Sequence, residues 1–442
     1  MDERRYLRWM LGSVLLLLAA VTAFNLLVDP YLVTGRPRVP GFNAIKPAVA
    51  THEHLMKAYQ AYQAGQTNAR TVVLGSSRSG TGIDPDSPHW PDAMRPVYNL
   101  SVAGTRLPDQ LHYLELLLAA ETSRGQTLPG TLVVGLDFES FLYRPGLVDA
   151  RPPPSKQQAE LHARLDMLHV LASPGPAPLP VLVHKLAELG LATATLDALE
   201  DSVATVLANR SSGGPDVLAN GRASDWQLRA WTLADGASAL FEQKHRMTVR
   251  QNLTPRLVLS DQPGGPVRRL QELQPLFALA RAHNIRLVLL VQASHVTHHE
   301  LLDALGYWAD LERWKQTLTQ SVAAARATGI DVRLWDFAGY ENVYQDPVTG
   351  RGQAAAKMRW FWDPVHYNTD LGDRMIAGIF ANPPKVDGLG EELTPATVTQ
   401  RLAQVQRLRA AYRLAHPQAQ ADAQVLVCGN GCDKLARATL QP

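Results

Sequence analysis

The run Val72-Val73-Leu74-Gly75-Ser76-Ser77-Arg78-Ser79-Gly80 (VVLGSSRSG, 72–80) decides the fold. Three apolar side chains stop at a glycine, and two serines come next. A short apolar run without polar alternation reads as a strand buried on both faces, the habit of parallel sheets. The glycine marks a sharp turn, and a serine after it suits the N-cap of the next helix. In parallel α/β sheets, sites form beyond the C-terminal ends of strands. Ser76 and Ser77 therefore stand where backbone N–H groups also point at a ligand. Taken alone, Gly-x-Ser equally describes an ordinary turn with a capped helix.

Working outward, the same rhythm recurs. Short apolar runs at 71–74, 97–101 (VYNLS), 131–137 (TLVVGLD), 286–292 (RLVLLVQ) and 332–337 (VRLWDF) read as strands. Helical spacing marks 52–64, 107–120, 267–283, 311–328, 371–380 and 398–415. Alternating strands and helices predict an α/β class with a parallel sheet and helices on both faces. Between about Pro145 and Pro266 the character changes to Ala/Leu-rich helical stretches broken by Pro and Gly. This reads as a helical insertion with no visible chemistry. The expected organisation is an N-terminal anchor (1–28), a linker and leading helix (29–70), two α/β parts (71–144 and 266–383) around the insertion (145–265), and a helical tail (384–442).

The second chemical signal is WFWDPVHYNTDLGDRM, 360–375. Asp363 and His366 lie three apart in a turn before the last sheet-associated helix. A carboxylate at this spacing can orient an imidazole, whose other nitrogen takes a proton from a serine. The bland alternative is Asp363 as a helix cap and His366 as a surface residue. Gly-x-Ser after the first strand together with Asp-x-x-His before the last helix resembles the SGNH, or GDSL-like, hydrolase superfamily. YNLSVAGT (98–105) is similar to that family's second block. The resemblance implies a three-layer α/β/α fold, Ser77 as nucleophile with Ser76 the runner-up, His366 as general base and Asp363 as its orienting partner. It also implies an oxyanion hole from the N–H groups of Ser77 and Gly104.

The chain departs from the pattern in one place. The family's third block carries an asparagine donor, whereas the corresponding strand here reads VVGLDFESF, with Asp137 in its place. A charged aspartate cannot donate, so the third donor is absent or comes from elsewhere. In this the chain resembles the membrane-anchored branch, such as alginate O-acetylation proteins and the teichoic-acid D-alanylation protein. That resemblance implies an acyltransferase or esterase acting on acetyl or other acyl esters of an extracytoplasmic polysaccharide or cell-wall polymer. It also implies a membrane-bound acyl-donor partner and no cofactor. The competing readings are a small-ester or lipid esterase, and a non-catalytic glycan-binding or scaffold subunit of a polysaccharide export complex.

The N-terminus fits an anchor. Arg4, Arg5 and Arg8 precede WMLGSVLLLLAAVTAFNLLV, 9–28. About 20 apolar residues span a bilayer core as a helix, and arginines before them predict a cytoplasmic N-terminus. The rest of the chain would then lie outside the cytoplasm, in the periplasm if the membrane is a bacterial inner membrane. A cleaved signal peptide, with Val21-Thr22-Ala23 as its small-residue site, is the competing reading.

Composition bounds the remaining options. Hydrophobic residues are 46%, charged residues 19% and the formal charge +2, an ordinary globular balance with no support for nucleic-acid binding. Cys428 and Cys432 in CGNGC suit a small disulfide loop in an oxidising compartment, and no metal site is expected. Arg78 beside the nucleophile is a candidate substrate contact or a structural ion pair. Trp360, Trp362 and Tyr367 around the His turn are candidate sugar-stacking faces, with core packing the commoner fate of such rings. His295, His298 and His299 read as a solvated loop, and Glu139 as a residue near the site.

Overall fold

The computed structural model describes residues 3–31, 34, 36–47, 68–123, 125–145, 179–210, 217–253, 256–350, 358–380 and 389–428. The helix expected over 52–64 lies outside them. Two compact units are present. One comprises Met1–Asn68, His112–Thr127 and Ser155–Leu218, and the other Ala69–Leu111, Leu128–Pro154 and Ala219–Pro442.

The first unit opens with α1 (Glu3–Val28), which carries the chain's apolar run. It is long and apolar enough to cross a membrane, a test that a signal sequence also passes. Leu15, Leu16 and Leu17 stand exposed on it, whereas Asn25 and Val28 at its end are buried. Asn25 Nδ2 donates to Thr193 O (2.8 Å), so the N–H side of the one amide in this apolar end has a partner. Lys46 Nζ donates to Val28 O (2.6 Å) and Asp29 O (2.8 Å). A cation there complements the helix C-terminus.

In the second unit the strands are β1 (Thr71–Leu74), β2 (Val97–Asn99), β3 (Thr131–Leu136), β4 (Arg286–Val291), β5 (Val332–Asp336) and β6 (Glu391–Glu392). Their order in the sheet is β2-β1-β3-β4-β5-β6. The first five are parallel and β6 runs antiparallel to β5. Every residue of β1 and β3 is buried, as is all of β4 beyond Arg286. That is why these runs lack polar alternation. Sequence expectation and structure agree on all five parallel strands to within a residue or two. The two-residue β6 was not expected.

Helices continue the series as α2 (Ser77–Gly82), α3 (Leu107–Ser123), α4 (Leu179–Thr193), α5 (Leu196–Ala208), α6 (Trp226–Asp235), α7 (Ala237–Leu253), α8 (Leu273–His283), α9 (Val296–Ala304), α10 (Trp308–Ala327), α11 (Thr369–Phe380), α12 (Val398–Ala415) and α13 (Ala419–Cys428). Of these, α4 and α5 belong to the first unit. Within the stretch read as an insertion, α6 and α7 belong to the unit that holds the sheet. Cys428 ends α13 and is disulfide-bonded, while Cys432 lies outside the described residues.

The tail helix α12 is tied to the sheet by buried charge. Arg401, 1% exposed, pairs with Asp336 at the end of β5 (3.4 Å) and with Glu341. Lys315 of α10 reaches the same Asp336 carboxylate at 2.8 Å. Further along, Arg413 pairs with Glu300 (2.7 Å) and Asp303 (2.6 Å) of α9.

The strand order places the site. Leaving β1, the chain first adds β2 on one side, then returns to add β3 on the other. At such a switch the crossovers diverge and leave a crevice beyond the strand ends. Here the turn after β1, Gly75 to Ser77, bounds it on one side, and the segment after β3, Asp137 to Glu139, on the other.

Candidate active site

Ser77 owes its position to the turn after β1. Gly75 adopts φ +157°, and a Cβ there would collide with the Ser79 side chain. Ser76 caps α2, its Oγ accepting from Arg78 N (3.3 Å). Ser77 is the first helical residue, so its N–H is one of the unpaired donors at a helix start.

The partner turn is closed by its own backbone. Trp362 N donates to His366 O (2.9 Å), Asn368 N to Trp360 O (2.9 Å), and Phe361 bridges Tyr367. His295 N, beyond β4, donates to Pro364 O (2.9 Å) and ties the turn to the sheet. Asp363 Oδ1 accepts from Val365 N and His366 N, both at 2.8 Å. Its Oδ2 lies 2.5 Å from His366 Nδ1. His366 Nε2 lies 2.7 Å from Ser77 Oγ, across 289 residues of sequence. With Asp363 holding the proton of Nδ1, Nε2 is the basic nitrogen and accepts from the serine hydroxyl.

The electrostatics suit that tautomer. Burial alone would raise the Asp363 carboxyl. The His366 ring, its hydrogen bond, the Lys244 ammonium and the Val365 N–H outweigh burial and hold it at about 2. The aspartate is thus a carboxylate wherever the histidine is useful as a base.

What brings the serine helix to the histidine turn is a close contact one residue away. The Tyr367 ring lies where a Cβ on Gly82 would sit, and a Cβ on Gly372 of α11 would strike Gly82 O. The Tyr367 hydroxyl donates to Gln292 Oε1 (2.8 Å), and Gln292 Nε2 donates to Ser79 Oγ. Nucleophile helix, His turn and the end of β4 are thereby locked together.

A cavity of about 630 Å³ opens beside Ser77, with Gly104, Asp137, Lys244, Thr248 and Gln251 among its walls. Gly104 adopts φ +68°, a left-handed conformation that glycine adopts readily. Among the described residues neither Ser77 N–H nor Gly104 N–H has an acceptor. Asp137 is pushed up by burial, with Arg78 opposing and the Glu139 charge adding to the rise. Arg78 Nε sits 3.2 Å from its Oδ1, an ion pair without hydrogen-bond geometry.

Several expectations need correction. Arg78 is 9% exposed and bound to Asp137, to Glu139 (2.9 Å) and to Ser294 Oγ (3.1 Å). Of its two expected roles, the structural ion pair is the one observed. Tyr367 and Trp362 are 0% and 3% exposed and face the core, so neither offers a ring to a sugar. Trp360 is half-buried between the guanidiniums of Arg359 and Arg374, 4.5 and 5.1 Å from its ring centre, and does not line the cavity. His295, His298 and His299 are not a solvated loop. They are buried at the start of α9, and His298 Nε2 contacts Glu139 at 2.6 Å. Among the described residues no group of side chains is arranged to hold a metal.

The cavity wall formed by α7 lies in the stretch 145–265, in which the sequence shows no chemistry. Its signal is the polar spacing Lys244, Thr248, Gln251, one face of a helix. No known protein family matches this chain, and no characterised protein matches it.

Proposed function

We propose that the protein is a membrane-anchored serine acyltransferase or esterase, acting outside the cytoplasm on acyl esters of a polysaccharide. The observation that carries the reading is the Asp363–His366–Ser77 relay, with spacings of 2.5 and 2.7 Å. The resemblance of its motifs to SGNH hydrolases supports the same chemistry.

In the proposed reaction His366 Nε2 takes the Ser77 proton as Oγ attacks the acyl carbonyl carbon. The C–Oγ bond forms, and the carbonyl electrons move to oxygen. Ser77 N–H and Gly104 N–H receive that oxyanion, each such donor lowering the barrier by roughly 3–4 kcal/mol. When the intermediate collapses, His366 returns the proton to the departing oxygen and leaves an acyl-serine. A sugar hydroxyl or water then attacks the acyl carbon and gives its proton to His366; the C–Oγ bond breaks, and His366 passes that proton to Ser77 Oγ. The first acceptor makes the enzyme a transferase, the second an esterase. A membrane-bound acyl-donor protein is the partner that transfer requires.

The cavity favours a glycan over a lipid. Its wall carries polar side chains, Lys244 and Gln251 among them, and an acyl chain would take water from these two and offer no partner in return. The proposed location, single-pass in a bacterial inner membrane with the catalytic part in the periplasm, rests on α1 and the arginines before it.

The test is intact-mass spectrometry after treatment with a fluorophosphonate. A single adduct on wild type that Ser77→Ala and His366→Ala both lose is the expected result. No adduct on folded wild type would move the reading to a non-catalytic glycan-binding subunit.

A further inference from the structure

The cations around the cavity are not equivalent. Arg78 is committed to Asp137 and Glu139. Arg106 is paired with Glu272. Arg269 donates to the carbonyls of Ser140 (3.0 Å) and Leu142 (2.5 Å). Arg144 is exposed to water at the rim. Lys244 is different. It is partly buried in the cavity wall, and among the described residues it makes no hydrogen bond and no ion pair.

An ammonium withdrawn from water without a partner is costly. Burial accordingly lowers its pKa, with the Asp363 charge the largest opposing influence. Thr248 and Gln251, one and two turns along α7, extend the same wall. The wall is thus a point charge and then neutral hydrogen-bonding groups, facing the space next to Ser77.

We infer that Lys244 binds an anionic group, carboxylate or phosphate, on the glycan that the cavity receives, and so sets the enzyme's preference for acidic over neutral polymers. The inference rests on the acyl-transfer reading for its chemistry, but the binding it describes needs no chemistry. Lys244 is here a specificity residue. Its nearness to Asp363 offers one rival role, electrostatic support of the triad, which would affect charged and neutral substrates alike.

The test uses the full chain in detergent micelles and has two parts. Labelling of Ser77 is timed with three fluorophosphonates that share a warhead and carry a neutral, a carboxylate or a phosphate tail. Wild type is expected to react faster with one or both charged probes. Lys244→Gln is expected to lower the charged-to-neutral rate ratio about tenfold, and Lys244→Arg to retain it. Equal slowing with all three probes would assign Lys244 to support of Asp363 and overturn the proposal.

Calorimetric titration with an oligogalacturonate, a phosphorylated mannan oligosaccharide and a cello-oligosaccharide reads the site without acyl chemistry. Tighter binding of either acidic ligand, weakened about tenfold in Lys244→Gln, supports the inference and says which anion is read. Binding that is absent, or indifferent to charge and to Lys244, overturns it. Failure of Ser77 to label, with acidic ligands still bound through Lys244, would sink the acyl-transfer reading alone.

Discussion

At the scale of single residues, the triad makes the sharpest demand on Asp363. It fixes the turn through two backbone N–H groups and fixes the histidine tautomer through Oδ2. Asp363→Asn keeps the size but presents an amide where the carboxylate accepted the Nδ1 proton, so the ring turns its N–H toward the serine. Serine hydrolases lose roughly 10⁴-fold in kcat from this change. We expect a loss of that order in turnover of p-nitrophenyl acetate, with the melting temperature little altered. Activity within tenfold of wild type would mean that the 2.5 Å contact does no catalytic work. Asp137 makes a complementary point. Its carboxylate is paired with Arg78 and is no donor, so under the proposed chemistry an oxyanion beside Ser77 and Gly104 would rely on two backbone donors.

Between elements, the tightest contact beside the Ser77–His366 pair is the Tyr367 ring against Gly82. Gly82→Ala puts a methyl into that ring, and α2 must move away from the His turn. We expect Ser77 labelling to slow more than tenfold, and stability to fall by about 1–3 kcal/mol, the usual cost of overpacking. Adding Tyr367→Leu should recover part of the labelling rate. A single Gly82→Ala that labels at the wild-type rate would show that α2 is positioned by other contacts. Arg401→Met tests the tail. It removes one of two cations from the fully buried Asp336 and leaves Glu341 without its partner. Breaking a buried pair in this way costs about 3–5 kcal/mol, read as a lowered urea midpoint with Ser77 still labelled. The same contacts explain what the sequence could reveal. Strands β1, β3 and β4 were legible because burial on both faces removes polar alternation. Ser77, Asp363 and His366 were legible because each sits in a short motif at an element boundary. β6 is two glutamates held by pairing with β5 and by contacts of Glu392 to Arg326 and Thr397, and nothing local announces it. The histidines of α9 look solvated in sequence and are buried by elements far along the chain. Lys244 stands out only once Arg78 and Arg106 are seen on their acids and Arg269 on its carbonyls.

For the whole molecule, the buried imidazoles imply a stability that depends on pH well above the carboxylate range. Burial lowers His295 to about 4, against a hydrogen bond to Asp346 O that favours its N–H. Burial lowers His245 to about 3, helped by the charges of His298 and His295 and opposed by Asp363. In the unfolded chain both titrate near 6.5. Below that pH the unfolded state binds protons that the native state refuses, so stability falls with falling pH. The loss begins near 6.5 and continues down to the folded values. Asp363 acts in a lower window. Its folded value of about 2 lies below the ordinary 3.8, so its contribution is intact above about 4 and lost as the pH falls through 2. Between pH 7 and pH 5 the histidines therefore act without it. Each contributes about 1.5 units of displacement over that interval, about 2 kcal/mol, or about 4 kcal/mol for the pair. Urea unfolding of the full chain in micelles at the two pH values measures this directly. The midpoint should fall at pH 5, and the double variant His245→Gln/His295→Gln should reduce the difference, with His299, lowered well below its ordinary value by burial, keeping part of it. Equal midpoints for wild type at pH 7 and pH 5 would mean that these rings take up protons in the folded state as easily as in the unfolded one.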